Sequence, residues 1–94
     1  MSARERWPLY EKAIKYWGID FQIRMLAEES AELAVASLHL TRQSKPDSLL
    51  SFIEEIADVE IMIEQMMMWF NCRDEVETVK EAKILKLTKI IEGV

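Results

Sequence analysis

FQIRMLAEESAELAVASLHLTRQ, residues 21–43, runs without Gly or Pro, and its Leu26, Leu33, Ala36 and Leu40 recur at helical spacing to form one apolar stripe. A second stretch, SLLSFIEEIADVEIMIEQMMMWF, residues 48–70, repeats the pattern through Leu49, Phe52, Ile56, Val59, Ile63, Met66 and Phe70. Between them, Ser44-Lys45-Pro46-Asp47 reads as a turn, with Asp47 or Ser48 placed to cap the helix that follows. Two long amphipathic helices joined by so short a connection bury their stripes by folding back on one another. The reading is therefore all-α.

Working outward, residues 4–17 carry Trp7, Tyr10, Ile14 and Trp17 at helical spacing until Gly18 breaks the pattern. Asp20 is the expected N-cap of the second helix. Beyond residue 70, Asn71-Cys72-Arg73-Asp74 is a polar break. Asp74 with Glu77 has the form of a capping box that opens a fourth helix, extending to about residue 91 before Gly93. Nothing reads as a strand, a linker or an internal repeat. The expectation is one helical domain over residues 1–94, with a four-helix bundle-like fold.

A chain of 94 residues buries a small share of its surface, so oligomerisation is expected. The formal charge of −5 argues against a nucleic-acid polymer as partner, because backbone binding needs clustered Lys and Arg, yet it leaves room for a small nucleotide. The single Cys72 makes no intrachain disulfide, and it lies too far from His39 for a zinc motif. Without an apolar leader core or an apolar run of membrane-spanning length, the protein is expected to be soluble and cytoplasmic, with no membrane partner.

Residues three apart on a helix stand side by side. Glu29 therefore shares its face with Leu26, Leu33 and Ala36, with Glu32 beside it, while Glu28 points elsewhere. On the next helix Glu55 and Asp58 share an edge with Val59, Met62 and Met66, and Glu54 lies further round. Carboxylates on a packing face are expensive unless compensated. If the two helices are antiparallel, Glu29, Glu32, Glu55 and Asp58 converge and cannot all stay ionised without a cation. Mg²⁺, a hard ion that prefers oxygen ligands, is the natural compensator. On the fourth helix the apolar stripe is Val76, Val79, Leu87 and Ile90, and Lys83 falls within it, so Lys83 is expected to point inward and meet a phosphate.

Acids spaced three apart are also common on solvated faces, where they form salt bridges. Here their position on the apolar side of both helices favours the metal reading. The six Met are read as core filler or an oligomer contact, and the aromatics mainly as packing. His39 is read as a helix-surface or interface residue and Cys72 as inert. Arg4, Arg6 and the lysines of the last helix are read as solvated, apart from Lys83. A di-iron bundle is excluded because His39, the only His, is preceded three positions earlier by Ala36. Neither a Ser/His/Asp cluster nor a Gly-rich phosphate loop is visible.

Glu28-Glu29-Ser30-Ala31-Glu32-Leu33, followed by Glu55-Ile56-Ala57-Asp58-Val59, resembles the Glu-x-x-Glu and Glu-x-x-Asp signature of the MazG-like all-α nucleotide pyrophosphohydrolases, in their small single-domain bacterial and phage form. The resemblance runs from Gln22 to about Lys86. It implies cleavage of a (deoxy)nucleoside triphosphate to the monophosphate and pyrophosphate, in housecleaning of nucleotide pools, with Mg²⁺ or Mn²⁺ as cofactor. It implies Glu29, Glu32, Glu55 and Asp58 as metal ligands and catalytic residues, with Lys83 on phosphate and Lys86 and Gln22 as further substrate contacts. It also implies a homodimer or homotetramer with sites between subunits. The alternatives are a non-catalytic helical interaction module and an enzyme like the related phosphoribosyl-ATP pyrophosphohydrolase.

Overall fold

A computed structural model describes residues 1–42 and 46–93. They form four helices and, among the described residues, no strand: α1 (Ala3–Trp17), α2 (Ile19–Arg42), α3 (Pro46–Trp69) and α4 (Arg73–Glu92). No helix among them is long and apolar enough to cross a membrane.

Each helix end has a local cause, and several differ from the sequence expectation. Ser2 caps α1 by accepting a hydrogen bond from the Glu5 amide at 3.2 Å. Gly18 ends α1 at φ 92°, a value that an L side chain rarely adopts, and its amide donates to the Ile14 carbonyl. The Gly18 carbonyl then accepts from the Gln22 amide. Asp20 is therefore not the cap of α2 but sits inside its first turn, where a carboxylate still favours the helix dipole.

Of the expected turn at residues 44–47, Ser44 and Lys45 lie outside the described residues. Pro46 belongs to α3 as its first residue, so Asp47 and Ser48 are helical rather than capping. The first helical position suits proline because its missing N–H would have had no intrahelical partner there.

At the far end of α3, Asn71 adopts the left-handed conformation at φ 49°. The Cys72 amide donates to Met67 and the Asn71 amide to Met68, the paired bonds of a Schellman motif. The expected capping box at Asp74 does not form. Cys72 precedes α4 with no side-chain cap, and Asp74 lies within the helix with its carbonyl accepting from Thr78.

α2 and α3 are the main packed pair, and α1 lies across both. The buried apolar residues are Tyr10 and Ile14 from α1, Ala36 from α2, and Val59 and Met62 from α3. Between α2 and α3, Gln22 and Gln65 are buried and joined by a 2.9 Å hydrogen bond. Arg6, expected to be solvated, instead pairs with Glu64 at 2.8 Å, and Tyr10 donates to the same carboxylate, which fixes α1 against α3. Desolvation resists ionisation of Glu64, but the hydrogen bonds from Tyr10 and Arg6 outweigh it and hold the carboxyl below its usual range.

α4 has no buried residue. Its stripe residues Val79, Leu87 and Ile90 are more than half exposed, and Lys83 is exposed with them rather than directed into a core. The chain exposes 7462 Å² in all, roughly a third more than a folded monomer of its mass is expected to show. Its radius of gyration of 16.2 Å likewise exceeds the roughly 12 Å of a compact domain this long. A bundle closed on itself by all four helices is thus not what the single chain forms: three helices pack and the fourth projects.

Candidate metal and ligand site

The antiparallel register of α2 and α3 sets the site. Ten residues forward from Gln22 is Glu32, and ten back from its partner Gln65 is Glu55. That register brings carboxylate oxygens of Glu29, Glu32 and Glu55 within 4.8 Å of one another. Glu29 and Glu55 are half-buried, whereas their neighbours Glu28 and Glu54 are exposed, as helical phasing requires.

The cluster is electrostatically uncompensated. One oxygen each of Glu29 and Glu55, Oε2 in both, is buried with no hydrogen-bond partner. Glu29 is pushed above the ordinary carboxylate range by desolvation first, then by the negative charges of Glu32, Asp58 and Glu55. Glu55 is raised in the same way, by desolvation and then by Glu32 and Asp58. None of the ion pairs among the described residues involves these acids. Orphaned buried oxygens on clustered carboxylates are expensive, and an all-oxygen donor set of this kind fits a hard divalent cation.

Asp58 is exposed and lies outside the tight group, although close enough for its charge to raise Glu29 and Glu55. Gln22 is 4% exposed, and its side-chain amide donates to Gln65. Lys83 and Lys86 are exposed on α4, and the chain's own fold does not bring them into the groove beside the acids.

That groove, of about 480 Å³, lies between α2 and α3. Glu32 and Glu55 line it near the cluster, Ala31, Val35 and Ala36 form its α2 wall, and His39, Asp47, Ser48 and Ser51 also face it. His39 was read from sequence as a surface or interface residue. The signal that could have placed it was its spacing, seven residues beyond Glu32 and so on the same helix face two turns away.

Models of known families, characterised proteins and solved structures were compared with this chain, and none matches.

Proposed function

We propose that the protein is a metal-dependent nucleotide pyrophosphohydrolase, cleaving a (d)NTP to (d)NMP and pyrophosphate in the manner of the MazG-like enzymes its acidic motifs resemble. The observation that carries this reading is the pair of buried, partnerless oxygens on Glu29 and Glu55 within a three-carboxylate cluster. Glu29, Glu32 and Glu55 would hold the cation, Mg²⁺ or Mn²⁺, with Asp58 at the edge. When bound, such an ion supplies charge neutralisation on phosphate oxygens and acidifies a coordinated water. A carboxylate of the cluster accepts a proton from the attacking water and orients it in line with the α-phosphorus. The water oxygen bonds to that phosphorus as the bridge to the β-phosphate breaks, and the electron pair leaves on pyrophosphate.

The cationic groups come from a second copy of the chain in this proposal. α4 carries Lys83 and Lys86 on a helix whose Leu87 and Ile90 are more than half exposed. The excess exposed area noted above is of the order that a stable interface covers. A homo-oligomer built on α4 would bury that stripe and supply lysines for phosphate.

The test is pyrophosphate release from NTPs and dNTPs with Mg²⁺ or Mn²⁺. Glu29→Ala and Asp58→Asn should lose turnover by about 100-fold or more while helicity is retained. Unchanged release in Glu29→Ala would end the assignment. The exposed apolar faces favour a second reading, a non-catalytic interaction module, which predicts no thermal stabilisation by Mg²⁺ with nucleotide.

A further inference from the structure

The groove between α2 and α3 continues well past the acids. Because the helices are antiparallel, Glu32 and Glu55 stand at one end of it, while His39 and Ser48 stand seven residues further along their helices, about 10 Å away. Asp47 stands beside Ser48 at that far end. Between the two ends the α2 wall is Val35 and Ala36, short apolar side chains that leave room beside them. The volume of about 480 Å³ is within the range of small-molecule sites. One end is anionic and suited to a cation with phosphate, the middle sets Val35 and Ala36 of α2 beside Ser51 of α3, and the far end offers hydrogen-bonding groups.

We propose that this groove seats the heterocyclic base of the substrate, with Asp47 and His39 reading its outer edge and favouring a base that presents an amino group. This rests on the acids being the phosphate end. The preference follows from what each group can do. His39 can donate or accept, and a serine hydroxyl does both. Asp47 lies in the first turn of α3, and a carboxylate only accepts. An accepting carboxylate welcomes the amino group of cytosine or adenine and repels a carbonyl at the same place.

His39 is the only histidine, so its two ring-carbon protons form a one-residue NMR reporter at the far end of the groove. Adding dCMP, which has no anhydride to cleave, should shift those resonances. Tripolyphosphate with Mg²⁺ has no base, and it should raise the melting temperature while leaving His39 unmoved. Val35 is 53% exposed, so Val35→Trp can fill that space without disturbing the core. That variant should raise KM for dCTP by at least about tenfold while the stabilisation by tripolyphosphate and Mg²⁺ stays unchanged. The wild type should prefer dCTP to dUTP in kcat/KM, and Asp47→Asn should erode that ratio by about tenfold.

His39 resonances unmoved by saturating dCMP, or an unchanged KM in Val35→Trp, would overturn the groove as base site even if the acids prove catalytic. Equal use of dCTP and dUTP by the wild type would overturn the amino-edge preference. A protein that binds dCMP against His39 but is not stabilised by tripolyphosphate with Mg²⁺ would keep the groove and sink the reading of the acids.

Discussion

α2 and α4 are both amphipathic by sequence, yet one is half of the packed core and the other buries nothing. α2 meets α3 along most of its length. There the pairing buries Ala36, Val59 and Met62, ties Gln22 to Gln65, and forces Glu29, Glu32 and Glu55 together. α4 is set off from α3 by the left-handed Asn71, and its Leu87 and Ile90 remain in solvent. An apolar stripe thus specifies that a helix needs a partner, not that the partner lies in the same chain. It is the packed pair, not the projecting helix, that can hold charged groups away from water.

The sharpest break between the two regions is in the core. Ile14→Ala removes a side chain that is 2% exposed and should cost about 2–5 kcal/mol in urea unfolding. Ile90→Ala, on α4, should change the stability of dilute protein by less than about 0.5 kcal/mol. If the two costs were equal at all concentrations, α4 would have to be packed within its own chain. A cost at Ile90 that grows with protein concentration is instead the mark of a second copy.

The glutamine pair probes how strictly α2 and α3 are registered. Gln22→Leu leaves the Gln65 amide buried and short of a partner, and should cost about 1–3 kcal/mol by thermal or urea unfolding. The double change to Leu should recover part of that loss, because neither polar group is then stranded.

Protonation separates the carboxylates of the α2–α3 cluster from the one that ties α1 to α3. Glu29 and Glu55 are raised, so the folded chain binds protons more readily than the unfolded one there. Their penalty is fully present above the folded values and is relieved as pH falls through them towards 4.5. Glu64 is lowered, so its stabilisation is present above 4.5 and is lost as pH falls through its depressed value. Melting curves across acidic pH should therefore show Glu29→Gln removing a stabilisation on acidification and Glu64→Gln removing a loss. Glu29→Gln should also raise the melting temperature of the metal-free protein near neutral pH.

The smallest effect belongs to the junction. Asn71→Gly keeps the left-handed turn and relieves a modest backbone cost, so stability should rise by less than about 1 kcal/mol.

The helices were legible because their stripes are long and their interruptions, Gly18 and Asn71, are local chemistry. The approach of the two acidic helices was legible too, since phasing separates Glu29 from Glu28 and a short connection forces antiparallel packing. Their caps were less so. Asp20, Asp47 and Asp74 all resemble N-caps, and each lies one or two positions inside its helix, because backbone carbonyls and proline can open a helix without a capping side chain. Gln22, named only through the resemblance, is buried against a partner 43 positions away, a pairing that no local pattern announces.

By itself, the sequence determined that this chain is helical, where its helices break, and that Glu29 and Glu55 rather than Glu28 and Glu54 turn towards the packing side, because those properties depend on neighbours within a few residues. The tertiary structure alone decided that Glu29 and Glu55 each hold a buried oxygen without a partner, that His39 and Asp47 share a groove with Glu32 and Glu55, and that Lys83 stays outside. Those outcomes depend on the register between helices and on where α4 leaves α3, which periodicity within one helix does not encode.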